Sequence, residues 1–373
     1  LFSVVGNVFG ANLTSSRWPP THIPQRLLTE YISSPAMGID VPTPRFSWHV
    51  DTDVDSLNNG DSTSSSGIGA RHIVQRAFRV QVCTVPLTRL SPWNGHSWEC
   101  DVDCENMSCA WDSGRVNSTT TWNVKYDGIP LLSDTTYAWR VMVWTESLAL
   151  TKDTVGTDAV LSNFSSVARL ETGFINKTVS FPNDATWIGV SPTQFAASPL
   201  GTTQVRTTFE LPPNAVVTRA IAYVASPGYY SLRVDGMESS SAILGAFTVF
   251  TRRLLYDVLD VTSQLSASET SQHALAITLA NGWYSQPTVN LGPRMVQLYM
   301  VINYFTPTNL TNTTFTTTAN NNNDVLTTQR NHASVAHGSQ VVVSGASWHS
   351  VMGPTLVADI YLGATYDSRL ETP

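Results

Sequence analysis

The sequence predicts an all-β protein built from two consecutive β-sandwich domains. Apolar and polar residues alternate with a period of two along many segments, and aromatic and β-branched residues are enriched there, as in half-buried strands. Asp-Gly and Asn-Gly pairs between these segments supply the positive-φ residues of tight hairpin turns. A chain of 373 residues is longer than one compact sandwich needs, so we expect at least two.

The strand pattern is clearest in residues 78–82, 137–144 and 274–279. Residues 230–234 alternate as a hairpin arm and lead directly into Asp235-Gly236, which predicts a type I′ turn. Stretches rich in Ser, Thr and Asn interrupt the strands and are interpreted as loops: 51–70, 145–162 and 306–337.

The composition excludes several classes of function. The chain is 42% hydrophobic and only 13% charged, with a net charge of -7, and its Lys and Arg residues are scattered. Nucleic-acid binding is therefore not expected. No apolar run reaches the roughly 18 residues of a membrane span. The apolar start, residues 1–11, is either the tail of a signal peptide or an ordered arm.

Seven positions match the acceptor pattern for N-glycosylation, which predicts covalent N-glycans on solvent-facing segments. They are Asn12, Asn106, Asn117, Asn163, Asn176, Asn309 and Asn312. So many matches favour an extracellular or cell-surface glycoprotein.

Four cysteines lie in one short stretch: Cys83, Cys100, Cys104 and Cys109. In an oxidising compartment we expect two disulfides, for which three pairings are open. We favour Cys83 with Cys109 across neighbouring strands, which leaves Cys100 with Cys104. A four-cysteine zinc site is the alternative, but the usual pair of C-x2-C knuckles is missing.

Motifs in the first half of the chain resemble the fibronectin-III-like first domain of bacterial-type α-L-rhamnosidases. They occur in order at 44–48 (PRFSW), 75–80 (QRAFRV), 111–116 (WDSGRV), 126–128 (YDG) and 136–141 (TYAWRV). Motifs in the second half resemble the rhamnosidase N-terminal domain. They occur at 206–211 (RTTFEL), 228–232 (GYYSL), 253–257 (RLLYD), 281–284 (NGWY), 360–363 (IYLG) and 366–371 (YDSRLE).

The resemblance implies an N-terminal arm at 1–26 and a fibronectin-III-like sandwich at 27–174 with a cysteine-bearing insertion at 84–109. A jelly-roll-like sandwich would follow at 175–373, with a glycosylated insertion at 306–338. It also implies that catalysis belongs to a helical (α/α)6 barrel, which this chain lacks. Three positions depart from the family pattern: Ala246, Ala280 and Ala364.

No catalytic site is predicted. Asp257 and Asp260 lie three apart in a strand and should point to opposite faces, so Asp260 is interpreted as a turn cap. Asp112 is likewise interpreted as a turn residue that binds the backbone two positions on. The histidines are dispersed, and no metal site is predicted. A structural calcium ion needs only oxygen ligands, but no compact acidic motif supports one.

Aromatic residues are the candidates for binding, because exposed rings hold sugars through the C–H faces of the sugar ring. The tentative carbohydrate-binding residues are Tyr229, Tyr230, Asn281, Trp283 and Tyr284. The alternative is that Trp283 packs inside the protein, as expected for Trp48, Trp111, Trp139 and Trp187.

Three functions remain open from the sequence. The first is a secreted, non-catalytic carbohydrate-binding or scaffolding region, with rhamnose-containing or other glycans as ligands. The second is a structural subunit of an extracellular fibril or coat that self-associates through the N-terminal arm. The third is a fragment of an active α-L-rhamnosidase.

Overall fold

A computed structural model of the protein describes eleven segments of the chain. Most of the arm, Cys100, Cys104 and the acceptors Asn12, Asn106, Asn176 and Asn309 lie outside them. The described residues are 23–50, 73–86, 109–147, 160–175, 181–239, 243–266, 270–286, 289–307, 311–317, 326–332 and 335–371.

The first domain is a sandwich of two sheets. One sheet has the order β2-β1-β4-β8, and the other has β3-β11-β9-β5-β6, with β10 on β9 and β7 on β5. β1 already begins at Pro24, inside the segment that the sequence assigned to the arm. The strands are β1 (Pro24–Thr29), β2 (Ile32–Ser33), β3 (Ala36–Ile39), β4 (Arg45–Val50), β5 (Ile73–Thr84), β6 (Cys109–Asp112), β7 (Val116–Asn117), β8 (Val124–Lys125), β9 (Thr136–Ser147), β10 (Val160–Leu161) and β11 (Ala168–Thr172).

Large aromatic side chains fill the space between these two sheets. Trp139 is fully buried, its ring lies 4.5 Å from that of Phe46, and its Nε1 donates to Thr29 Oγ1 at 3.0 Å. Trp48 packs edge-on against Phe78. These contacts confirm the predicted core positions of Trp48 and Trp139.

The second domain is also a sandwich. Its sheets have the orders β12-β22-β14-β18, with β25 on β22, and β16-β15-β19-β13-β26, with β17 on β15. The elements are β12 (Ile188–Gly189), α1 (Pro192–Ala197), β13 (Thr203–Glu210), β14 (Val216–Ala225), β15 (Tyr229–Val234), β16 (Met237–Glu238), β17 (Ile243–Leu244), β18 (Asp257–Asp260), α2 (Thr262–Ser266), β19 (Gln272–Ala280), β20 (Ser285–Gln286), β21 (Val289–Asn290), β22 (Met295–Pro307), β23 (Thr311–Thr317), β24 (Leu326–His332), β25 (Val335–Val343), β26 (His349–Met352), β27 (Thr355–Asp359), β28 (Gly363–Tyr366) and a final 3-10 turn, Ser368–Leu370.

Two features of the second domain follow local sequence rules. β19 alternates buried and exposed residues, as its sequence predicts. The turn between β15 and β16 has positive φ at both Asp235 (50°) and Gly236 (79°), which confirms the predicted type I′ turn.

The insertion 306–338 differs from the loop that its composition suggested. β22 and β25 extend into it, and β23 and β24 pair as an antiparallel hairpin within it. Thr is favoured in strands, so a Thr-rich run that finds a pairing partner forms a β-ribbon although it carries few apolar residues.

β14 and β22 are buried on both faces, because the first domain covers the outer face of their sheet. Their inward side chains, such as Ala222 and Leu298, belong to the core of the second domain. Their outward side chains, Ile221, Tyr223, Tyr299 and Val301, form a second cluster with residues such as Phe174. The Phe174 ring lies 4.7 Å from that of Tyr223. Continuous burial of this kind gives an apolar run instead of alternation.

A buried charge network lies beside this aromatic interface. Glu171, on β11 of the first domain, is fully buried and accepts from Arg219 of β14 (Nη2, 3.1 Å) and from Arg169 (Nε, 2.9 Å). Arg219 Nη2 also donates to Asp134 Oδ1 at 2.7 Å, and its Nη1 donates to Asn303 Oδ1 at 3.3 Å. Burial alone would raise the pKa of Glu171, but the two guanidinium groups outweigh it and hold that pKa below its usual value.

Candidate functional site

A cavity of about 350 Å³ opens between the main sheet of the second domain and the β27–β28 hairpin. Tyr229 and Ala280, which are paired between β15 and β19, form one wall together with Gly282. The opposite wall consists of hairpin residues: Ala358, Asp359, Ile360, Gly363 and Ala364. Nearly all of these groups are apolar, so the cavity favours a ligand with an apolar face.

An aromatic cluster adjoins this cavity in the chain, because Trp283 and Tyr361 directly follow the lining residues Gly282 and Ile360. The Trp283 ring lies edge-on to Phe247 (6.2 Å) and to Tyr361 (6.0 Å), and Phe250 packs in the same way between Phe247 and Tyr284. Phe247 is 75% exposed and Tyr361 is 74% exposed, so the outer side of the cluster faces solvent. We call the cavity and these rings the hairpin surface. Edge-to-face geometry fixes the position of each ring.

Asp359 is the acidic residue that lines the cavity of the hairpin surface. Its Oδ1 accepts the backbone N–H groups of Tyr361 and Leu362, each at 2.8 Å, which closes the turn of the β27–β28 hairpin. Its Oδ2 is shielded from water and has no hydrogen-bond partner among the described residues. A buried carboxylate oxygen without a donor is unfavourable, so a ligand hydroxyl that reached it would be stabilised.

The structure separates the five tentative binding residues into two groups. Tyr229 lines the cavity, and Trp283 belongs to the aromatic cluster, where its ring is half-buried. Tyr284 is largely buried behind Phe250, and its hydroxyl donates to the Leu291 carbonyl at 3.2 Å.

Tyr230 and Asn281 are both in the interior and do not line the cavity. The Tyr230 hydroxyl donates to Asp257 Oδ2 at 2.9 Å, and burial raises the pKa of Tyr230. The strand period explains the contrast with Tyr229, because adjacent strand residues point to opposite faces.

Asn281 anchors the chain segment directly before the cavity-lining Gly282. It donates to the Pro199 carbonyl at 2.7 Å and accepts from Arg294 Nη1 at 3.1 Å. Arg294 also donates to Thr203 Oγ1 and to the Ser198 carbonyl, and burial lowers its pKa to about 10. The next residue, Gly282, has φ +53°, and a Cβ there would lie 3.0 Å from the Tyr229 nitrogen. Glycine is therefore required where the chain passes the cavity wall.

The carboxylates that the sequence interpreted as turn residues have that role. Asp112 Oδ1 accepts from the Gly114 nitrogen at 2.9 Å, two positions on, and its carboxylate also pairs with Arg79. Asp260 Oδ1 accepts from the nitrogen of Thr262 at 3.0 Å at the start of α2. Both groups are thus engaged in local structure.

Cys83 and Cys109 lie directly opposite each other in the β5–β6 pair, and their Sγ atoms are 3.2 Å apart. This is the pair that the sequence analysis favoured for a disulfide. Among the glycosylation acceptors, the side chains of Asn117 and Asn163 are exposed.

No group of three or more His, Cys, Asp or Glu side chains among the described residues is placed to hold a metal ion. No helix among these same residues is long and apolar enough to cross a membrane.

Comparison with known families places both domains. Residues 24–176 match the Rha78A-like, N-terminal immunoglobulin domain, and residues 215–373 match the alpha-L-rhamnosidase N-terminal domain. An alpha-L-rhamnosidase of Formosa agariphila is 25% identical over 273 residues, which cover 70% of this chain and 25% of that protein. The chain thus spans about a quarter of the length of this curated relative.

Solved structures agree on the fold. An alpha-L-rhamnosidase from Dictyoglumus thermophilum superimposes with a TM-score of 0.58 at 21% identity, over 95% of this chain and 32% of that one. One from Aspergillus terreus gives 0.56 at 19% identity, over 93% and 31%. The chain therefore consists of an immunoglobulin-like domain followed by an α-L-rhamnosidase N-terminal domain, and it resembles the N-terminal region of the α-L-rhamnosidases.

Proposed function

We propose that this chain is a non-catalytic, carbohydrate-binding region of a secreted, N-glycosylated α-L-rhamnosidase-like protein. The observation that carries the proposal is the hairpin surface, which combines an apolar cavity, exposed aromatic rings and one carboxylate oxygen that has no donor among the described residues. Asp112 and Asp260 are engaged in turns, and Asp257 accepts a hydrogen bond from the Tyr230 hydroxyl. Glycoside hydrolysis requires two carboxylates that face each other across the scissile bond.

The chemistry of the hairpin surface fits a sugar that has one apolar side. Tyr229 and the small residues Ala280, Ala358 and Ala364 offer van der Waals contact to C–H groups. Asp359, which lines the cavity, adds a carboxylate oxygen, Oδ2, that has no donor among the described residues. A hydroxyl on one side of a pyranose ring and C–H groups on the other match this arrangement, as does the methyl group of a 6-deoxy sugar.

Binding is tested by titrating the chain with methyl α-L-rhamnopyranoside and, separately, methyl β-D-glucopyranoside, followed by saturation-transfer NMR. Tyr361→Ala removes an exposed ring of the hairpin surface, and Tyr366→Ala is the control because Tyr366 lies at the far end of the same hairpin. We expect about tenfold weaker binding for the first variant and no change for the second. Equal binding by both variants contradicts the proposal.

The non-catalytic part is tested with aryl α-L-rhamnosides. The purified chain should release no more phenol than buffer does. Turnover that disappears on replacing any one Asp or Glu of this chain would contradict this part and leave the binding result intact.

A further inference from the structure

The first domain carries a second exposed aromatic pair, which the proposed function does not use. Tyr31 lies in the turn between β1 and β2, and Trp122 lies just before β8. Tyr31 is 48% exposed and Trp122 is 52% exposed. Their ring centroids are 5.3 Å apart and their planes meet at 46°, so the two rings form one shallow, open surface.

The backbone holds Tyr31 in an unfavourable conformation. Thr29 pairs with Ile32, so Glu30 and Tyr31 are the two central residues of a tight hairpin turn. Both have positive φ, 48° and 68°. Such turns prefer Asn-Gly, and positive φ strains the backbone of a bulky residue. The strained turn nevertheless presents a tyrosine to solvent, where its ring gains little from burial. Strain of this kind is concentrated at binding sites.

Arg45 clamps this turn and completes the surface. Its backbone N–H donates to Glu30 Oε1 at 2.7 Å, and its Nε lies 3.1 Å from both Glu30 oxygens. Its guanidinium carbon lies 5.1 Å from the centre of the Tyr31 ring. The bonds to Glu30 use the backbone nitrogen, Nε and Nη2, so Nη1 donates to no residue in the described segments. We call Glu30, Tyr31, Arg45 and Trp122 the turn surface.

The chemistry of the turn surface selects one class of ligand. The rings offer apolar faces, and the ion pair beside them offers donors and acceptors. Glu30 neutralises Arg45, which disfavours a purely anionic ligand. Polar groups at the edge of two half-exposed rings match a pyranose, whose C–H face is apolar and whose rim carries hydroxyls. We propose that the turn surface binds a pyranose unit of a glycan chain, independently of the hairpin surface.

The test uses native electrophoresis of the chain through gels that contain xyloglucan, galactomannan or rhamnogalacturonan, with titration of the retarding polysaccharide. Trp122→Ala removes one ring, and Tyr31→Gly removes the other. Ile129→Ala is the matched control, because Ile129 is 74% exposed on the same domain but lies outside the pair. We expect about tenfold weaker binding for each ring variant and parental binding for the control.

Tyr31→Gly also separates binding from folding. Glycine adopts positive φ without strain, so this variant should unfold at the same or a higher urea concentration than the parent while it binds less polysaccharide. A structural role for Tyr31 predicts the opposite, a lower unfolding midpoint. That result would overturn the proposal.

Three further results would also overturn it: no retardation of the parent by any of the three polysaccharides, parental binding by both ring variants, or loss of self-association instead of glycan binding. The last result, seen by sedimentation velocity, would assign the turn surface to a second copy of the chain. Tyr361→Ala keeps the two proposals apart, because it should leave retardation through the turn surface unchanged.

Discussion

Replacing Arg219 with methionine tests whether the buried charge network holds the two domains together. Arg219 is almost fully buried, and its guanidinium serves Glu171 of the first domain, Asp134 of the first domain and Asn303 of the second. Methionine keeps much of the side-chain length and removes the charge. Among the described residues, the fully buried Glu171 would then retain only Arg169 as a charged partner. Removing one member of a buried pair costs about 3–5 kcal/mol, and we expect a loss in that range.

The control is Arg79→Met, which breaks an ion pair of similar geometry on the surface. Arg79 Nη2 lies 2.6 Å from Asp112 Oδ2, but the two side chains are 38% and 31% exposed. Exposed pairs contribute less than about 1 kcal/mol. Urea unfolding at pH 7, followed by tryptophan fluorescence, measures both variants against the parent. If Arg219→Met loses no more free energy of unfolding than Arg79→Met, the network does not stabilise the interface and the reasoning is refuted.

The same network predicts how stability depends on pH. The pKa of Glu171 is lower in the folded protein than its usual value of 4.5. The folded state therefore binds this proton less readily than the unfolded chain does. The stability contributed by the charged carboxylate is fully present above pH 4.5 and is lost as the pH falls through the lower folded pKa. Glu171→Gln should lower stability at pH 7 and flatten the acid limb of the curve. An unchanged acid limb in this variant contradicts the assignment.

Three further outcomes are expected. Under oxidising conditions Cys83 and Cys109 should form a disulfide, because their strands hold the Sγ atoms 3.2 Å apart. Peptide mass mapping without reduction identifies the bonded pair. A bond from Cys83 to Cys100 or Cys104 would contradict this prediction. Asn117 and Asn163 should carry N-glycans when the chain is secreted from eukaryotic cells; an unchanged mass of both glycopeptides after deglycosylation would remove these two sites. Gly282→Ala should lower the free energy of unfolding by about 1–3 kcal/mol, because φ is +53° at this position, and should also weaken sugar binding. If the variant unfolds at the same urea concentration as the parent, the turn tolerates a side chain.

Local sequence rules were sufficient for much of the fold. The alternation of β19, the Asp235-Gly236 turn and the turn roles of Asp112 and Asp260 depend on neighbours within a few residues, and the structure confirms them. Trp187 was expected to be packed inside but is 44% exposed. Its exposure depends on which residues cover it, and composition does not contain that information.

The binding surfaces depend on contacts between distant segments and were only partly predictable. The NGWY motif identified Trp283, but its partners Phe247 and Tyr361 lie far away in sequence. Tyr229 and Tyr230 differ in exposure because of strand register, which a tyrosine pair does not specify by itself. The turn surface was missed because Tyr31 and Trp122 are isolated aromatics in the sequence. The buried charge network had one indication in the sequence. Arg169 and Glu171 are charged residues within a strand whose other residues favour burial.

Because β14 and β22 are buried on both faces, the two domains should be difficult to separate during evolution. If the second domain were expressed without the first, its outer sheet face would expose one hydrophobic patch to water. The patch would consist of Ile221, Tyr223, Tyr299 and Val301. Arg219 would simultaneously lose its acidic partners across the interface. Recombination between the two domain-coding segments should therefore yield proteins that aggregate and are poorly soluble. The pair is expected to move between genes as a single cassette.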